Sequence, residues 1–233
     1  MVKRTFDDFD DYANEYRDIH TDNIKLFGAD SYYFARMKIE LLKEFEKDTK
    51  LQILDIGCGD GTSEMYIGRL FPEWKVKGID ISEKSIEEAK NKNLTGCSFE
   101  LYDGTTIPLE HESADIIFIA GVLHHVSYDL HQTLLKEMYR VLKKGGRLYL
   151  FEQNPLNPVT RHLVNTCIFD DHAKLLFNSY TMKIIEQSKL RVTNNNFIIF
   201  FPRKGIFSKL IFLEKYLKWL PLGGQYFIRA LKN

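Results

Sequence analysis

A chain of 233 residues is long enough to bury one sizeable core and too short for two enzymes of ordinary size. Lys and Arg together number 32, as do Asp and Glu, so the chain lacks the basic excess of a generic phosphate-backbone binder and no nucleic-acid partner is expected. Its three cysteines, Cys58, Cys97 and Cys167, are odd in number, far apart and outside any CxxC pair, which argues against a disulfide framework or a zinc knuckle and fits a reducing cytoplasm.

The first residues, MVKRTFDDFDDY, turn acidic at once without an apolar core, so no signal peptide is expected, and no apolar run approaches the ~18–20 residues of a spanning helix. Phe6, Phe9, Tyr12, Tyr16 and Ile19 recur at helical spacing, and Phe34, Met37, Leu41, Leu42 and Phe45 repeat the pattern after Gly28. Two helices are therefore predicted before the first strand. Short apolar runs then alternate with helical patterns. Strands are predicted at Leu51 to Ile56, Val76 to Ile79, Cys97 to Leu101, Ala114 to Ala120 and Arg147 to Phe151. Between them lie a helix stopped by Pro72, one capped by Ser82, and one whose face carries Leu130, Leu134, Met138, Val141 and Leu142 before Gly145 and Gly146. Such alternation implies a parallel sheet covered on both faces, with ligands at the C-terminal strand ends. Beyond residue 152 the reading is a helix near Thr181 to Lys189, a strand at Phe197 to Phe201, an apolar helix near Ile206 to Leu220, and a last strand around Tyr226 to Leu231. The apolar helix carries Lys209, Lys215 and Lys218 and is expected to pack on the sheet rather than on a bilayer.

The chemistry starts at LDIGCGDG, residues 54 to 61. Gly57, Gly59 and Gly61 close a strand and open a helix, so backbone can approach a ligand closely. Asp55 and Asp60 beside them would oppose a pyrophosphate at a helix N-terminus. A cationic ligand fits better. S-adenosylmethionine, with a sulfonium, an ammonium and one carboxylate, has that character. Asp80 ends the second strand 23 residues after Gly57, at the spacing from which an acid reaches ribose hydroxyls. Asp103, followed by Gly104, ends the third strand, where a carboxylate can accept from the adenine amine.

With these residues in place the chain resembles the class I S-adenosylmethionine-dependent methyltransferases. Carriers of the resemblance are LDIGCGDG, GIDIS at 78 to 82, LYDGTTIPLEHESADIIF at 101 to 118, GVLHHV at 121 to 126 and RVLKKGGRLYLFE at 140 to 152. The resemblance implies a Rossmann-like three-layer α/β sandwich whose seven-stranded, mostly parallel sheet has an antiparallel last strand. It also implies S-adenosyl-L-methionine as cofactor, held by Asp55, Gly57, Cys58, Gly59, Asp80, Ile81, Asp103, Gly104, Gly121 and Tyr16. The chain then reads as one methyltransferase domain, with residues 1–48 as an N-terminal helical cap and 153–180 as a substrate-side insertion. The downstream FEQNPLNPVTRHLV with FDDHAKLL is similar to bacterial small-molecule methyltransferases.

A small-molecule methyl acceptor is therefore the expected partner. His124, His125 and Glu152 are the candidate catalytic bases for a hydroxyl acceptor, whereas an amine need only arrive neutral and oriented. Asn154 and Arg161 are expected to bind the acceptor, Arg161 through an anionic group of it, the alternative for Arg161 being a salt bridge to Asp170 or Asp171 in place of that role. No metal is required. GVLHH lacks the DPPY-type tetrad of adenine-N6 methyltransferases. An RNA or protein methyltransferase and a non-catalytic cofactor-binding protein are the alternatives.

Overall fold

A seven-stranded sheet in the order β3-β2-β1-β4-β5-β7-β6 organises the computed structural model, which describes residues 31–167 and 173–233. Its strands are β1 (Gln52–Ile56), β2 (Lys75–Asp80), β3 (Cys97–Leu101), β4 (Ala114–Ala120), β5 (Leu142–Gln153), β6 (Leu190–Ile198) and β7 (Gln225–Lys232). Strands β1 to β5 pair in parallel, and β7 runs antiparallel to both β5 and β6. The chain builds outward from β1 to β2 and β3, then returns to place β4 on the other side of β1. A crevice for ligands opens at that reversal. The first predicted helix, with Tyr16, lies outside the described residues.

Both faces of the central strands are apolar, as a doubly covered sheet requires. Leu54, Ile117, Ile119, Leu148 and Leu150 point into one core with Leu134 and Met138 of a helix at His131–Val141 and Ile184 and Ile185 of a helix at Asn178–Gln187. Their chain neighbours Ile53, Ile116, Phe118, Tyr149 and Phe151 point into the other, with Ile39 and Leu42 of α1 (Ser31–Phe45) and Ile67 of α2 (Thr62–Leu70). The period of two along each strand thus feeds two layers at once. On the flank, α3 (Glu83–Asn91) starts at Ser82, whose hydroxyl accepts the Ser85 N–H at 3.1 Å, and buries Ile86 and Ala89. The His131–Val141 and Asn178–Gln187 helices are α4 and α6, with α5 (Pro158–Thr166) between them. Just beyond α1, Glu46 ties this helix to the sheet: it accepts from Arg147 Nε at 3.0 Å and from the Tyr149 hydroxyl.

Two expectations are corrected. The sixth strand runs from Leu190 to Ile198, upstream of the predicted Phe197 to Phe201, because its middle is Thr193 followed by three half-buried asparagines on a sheet edge. An asparagine run has poor strand propensity, and its pairing with β7 supplies the order instead. The apolar stretch near Ile206 to Leu220 is not buried against the sheet, although the Lys218 carbonyl accepts the Phe197 N–H of β6 at 2.7 Å. It forms a 3-10 helix, Ile206–Leu213, and a short α7, Glu214–Leu217, with no buried residue in either. No helix among the described residues is long and apolar enough to cross a membrane.

Candidate active site

After β1 the backbone turns sharply over the end of β2. Gly57, Gly59 and Gly61 have φ of 73°, 55° and 78°, a left-handed region that disfavours side chains. A Cβ on Gly57 would stand 2.4 Å from Val122 Cγ2, whereas one on Gly59 would meet nothing within 4 Å among the described residues. Gly57 is thus a packing requirement, and Gly59 faces open space where a ligand can approach. Asp80 holds the loop in this shape, since Oδ2 accepts the Gly59 N–H at 2.8 Å and Oδ1 the Ser82 N–H at 2.9 Å. Asp60 is turned to Lys92 Nζ at 2.6 Å and to Thr62, so its charge is met within the protein.

Beneath the loop lies a pair of buried acids, only one of which was anticipated. Asp55 from β1 and Glu64 from α2 are 2% and 0% exposed and interact with each other, with no hydrogen bond to Asp55 Oδ2 or the Glu64 carboxyl oxygens from any other side chain among the described residues. Burial, then the charge of Glu64, holds Asp55 well above the ordinary carboxyl range. Burial above all raises Glu64 to about 8. Both carboxyls therefore hold their protons more tightly than exposed carboxyls do. The signal for Glu64 was its place three residues before Ile67, on the buried stripe of α2. Gly78 makes room for it, because a Cβ there would fall 2.7 Å from Glu64 Oε1. Cys58 is buried in the same nest, and burial followed by the charges of Glu64 and Asp55 drives its thiol far up, so it is no nucleophile.

The other wall is a single 3-10 turn after β4, Leu123–His125. Glu152, at the end of β5 and 1% exposed, receives the Leu123 N–H at 2.8 Å and the Val122 N–H at 3.2 Å on Oε1. Its Oε2 lies 2.5 Å from His124 Nδ1. Burial would raise its pKa, but the charge and hydrogen bond of His124 and the Leu123 N–H outweigh this and hold the carboxyl below its usual value. Gly121 has φ 72° and lies beside the His124 ring, with 3.7 Å between Cε1 and a notional Cβ. The His125 ring sits 4.1 Å from that of His124. A residue not singled out from sequence, the fully buried His131 of α4, clamps the turn from outside. Its Nε2 is 3.0 Å from the carbonyls of both Leu123 and Val126, and its Nδ1 is 2.9 Å from the Tyr180 hydroxyl.

The remaining candidates divide. Asp103 is exposed at the end of β3, and its Oδ1 accepts the N–H groups of Thr106 and Thr105, which keep its carboxyl below the usual range. Gly104 beside it has φ 80°, and Ile81 follows Asp80 half-buried. Asn154, expected at the acceptor, instead turns its amide to the Gly223 and Pro221 carbonyls at 2.7 and 3.2 Å, while its oxygen takes the Leu156 N–H. Buried at 1%, it joins the end of β5 to the turn before β7. Arg161 is exposed on α5, and Asp170 and Asp171 lie outside the described residues. Lys174 donates its backbone N–H to the His124 carbonyl at 2.8 Å, bringing the chain after α5 against the histidine turn. No group of three or more potential metal ligands occurs among the described residues.

A doubly covered sheet with β7 reversed, a glycine loop after β1 and an acid after β2 define the class I methyltransferase architecture. Comparison with known proteins agrees. Residues 53–146 match the family model of a methyltransferase domain. A demethylmenaquinone methyltransferase from Thermotoga maritima is 31% identical over 149 residues, which take in 64% of this chain and 61% of that protein. The chain thus spans less than two thirds of that relative's length. Among solved structures, a methyltransferase in complex with the Haloferax volcanii Trm112 methyltransferase activator superposes with a TM-score of 0.70 at 17% identity, over 97% of this chain and 98% of that one. The [4+2]-cyclase SpnF also shares the fold, with a TM-score of 0.63 at 16% identity over 84% and 81% of the two chains. Residues 53–146 thus match a methyltransferase domain, and the fold is the one adopted by S-adenosylmethionine-dependent methyltransferases of known structure. S-adenosylmethionine is the cofactor of such methyltransferases, and the loop fits it: among the described residues nothing stands within 4 Å of a Cβ at Gly59, so a ligand can approach the backbone there.

Proposed function

We propose that the protein transfers a methyl group from S-adenosylmethionine to a small-molecule acceptor. One juxtaposition carries this: the acid-backed glycine loop after β1 and the buried Glu152–His124 pair flank the same sheet reversal. The Thermotoga maritima relative, named for a small-molecule substrate, supports the same acceptor class.

The cofactor, when bound, supplies an electrophilic methyl group on a sulfonium that leaves as a neutral thioether. The loop Gly57, Cys58 and Gly59 would hold its amino-acid portion above Asp55, with Gly121 alongside. Asp80 and Ile81 would meet the ribose, and Asp103 and Gly104 the adenine, with Tyr16 and the rest of residues 1–48 as a cap. What the chain must do is align acceptor and methyl and exclude water. Glu152 fixes the tautomer and tilt of His124, since Nδ1–H points to the carboxylate and leaves proton exchange to Nε2. For a hydroxyl acceptor His124, or His125 beside it, takes the proton as attack proceeds. For an amine the same turn only orients the acceptor. The segment 153–180 forms the acceptor side, where Arg161 offers paired donors to a carboxylate or phosphate.

Calorimetry with S-adenosylmethionine and its demethylated product is expected to show binding. Labelled cofactor offered with a metabolite library is expected to mark a small molecule, with His124→Ala losing turnover while binding cofactor. Absence of binding at millimolar ligand removes the proposal, and label appearing only in RNA or protein moves the acceptor to a macromolecule.

A further inference from the structure

Between β6 and β7 the chain exposes an apolar surface that the site does not use. Ile206 and Trp219 are each 74% exposed, Phe212 64% and Tyr216 63%, and Phe207 and Leu222 are more than half exposed. Single exposed apolar residues are ordinary, but so many within one short segment mark an interaction surface. The charge of the segment is as one-sided as its hydropathy. Residues 203–222 hold Arg203, Lys204, Lys209, Lys215 and Lys218 against a single acid, Glu214, in a chain whose total charge is zero. Glu214 is committed inward, to Arg203 at 2.9 Å and to the Phe200 and Phe201 N–H groups. Lys204, Lys209 and Lys215 are exposed, and Lys215 lies over the Tyr216 ring at 4.8 Å.

We propose that residues 203–222 dock the protein on the surface of an anionic lipid bilayer. Bulky aromatics interleaved with lysines suit a headgroup boundary, where rings enter the acyl edge and ammonium groups reach back to phosphates. A protein partner is less well matched, because interface cores are depleted of lysine. The helices here are far too short to span, so the segment lies on the membrane. The end of this segment is tied to the chain that leaves β5. Asn157 Nδ2 donates to the Leu222 carbonyl at 2.7 Å, and Asn154 binds the adjoining turn, so Leu156 and Val159, 50% and 39% exposed, extend the face towards the end of β5. Docking is independent of methyl transfer, and its test needs neither cofactor nor acceptor.

The full chain is to be sedimented with vesicles of phosphatidylcholine alone and of phosphatidylcholine containing phosphatidylglycerol. Binding is expected to the second, at least tenfold tighter than to the first, and to weaken with salt. Trp219→Glu with Phe212→Glu should abolish it, and Lys204→Glu with Lys209→Glu should erase the preference for phosphatidylglycerol; all four sites are exposed, so folding is retained. The chain has two tryptophans, and Trp74 is buried at 3%, so in a Trp74→Phe background the emission of Trp219 should shift to the blue on binding. No binding to phosphatidylglycerol vesicles, equal binding to both vesicle types, or a dimer in light scattering that Trp219→Glu dissociates would each overturn the proposal.

Discussion

One buried carboxylate, Glu152, fixes both the ring and the backbone leading to it at His124: Oε2 stands 2.5 Å from Nδ1 while Oε1 takes the Leu123 N–H at 2.8 Å. Strand β5 therefore sets the geometry of the turn after β4, although 28 residues separate the two side chains. This makes Glu152 a positioning residue for the proposed base rather than a base itself.

Glu152→Gln keeps the shape but leaves one oxygen for three donors. Denaturant unfolding should show a loss of about 1–3 kcal/mol, as for a buried group left without its charged partner. In turnover assays kcat should fall by roughly tenfold or more with cofactor affinity little changed. The depressed folded pKa of Glu152 means that its stabilisation is complete above the unfolded value of ~4.3 and disappears as pH falls through the folded value. That acid-side slope should shrink in the variant.

Glu64 is expected to behave in the opposite sense. Its folded value of about 8 lies above the unfolded one of ~4.3, so between those limits the folded chain holds the extra proton and stability falls as pH rises. Glu64→Gln should flatten this slope, which can reach ~1.4 kcal/mol per pH unit. Unfolding curves from pH 5 to 8 read the difference directly, and identical slopes in both proteins would show that Glu64 is not protonated at neutral pH.

The two glycines of the loop should separate stability from binding. Gly57→Ala drives a methyl into Val122 at a left-handed φ, and a loss of about 2–3 kcal/mol in unfolding free energy is expected from overlap and strain together. Gly59→Ala meets only the strain, ~1–2 kcal/mol, but its methyl enters the space facing the ligand. Cofactor affinity by calorimetry should fall at least tenfold for that variant.

Asp80→Ala removes the acceptor for both the Gly59 and Ser82 N–H groups. Cofactor binding should weaken by about 1–3 kcal/mol, from lost ribose contacts and a relaxed loop together. Asp80→Asn, which retains one acceptor oxygen, should fall between the two. Equal affinity in wild type and Asp80→Ala would separate this acid from the cofactor.

The alternation of apolar runs with helical periods was enough to place β1 to β5, because central strands such as β4, buried at most positions, read as near-continuous apolar runs, while the edge strand β3, with no buried residue, was placed by its position in that alternation. The glycine loop was legible for a similar reason: three glycines and two acids in eight residues restrict both backbone and charge. Strand β6 was displaced towards FIIFF, since its true centre, Thr193 to Asn196, owes its strand form to the hydrogen bonds of β7 and carries no local signal.

Sequence by itself therefore determined the first five strands, the order of the motifs and the glycine-and-acid loop, all of which are legible from residues close together in the chain. Only the tertiary structure decided which polar groups meet across the sheet. It joined Glu152 to His124, set Glu64 beneath Asp55, closed His131 over the turn and spent Asn154 on the 221–223 carbonyls. It also left Trp219 and its neighbours outside the core. The physical reason is common to these cases. Whether a polar side chain is buried and paired, or an apolar one left uncovered, depends on elements far apart in the chain, and no local period encodes that.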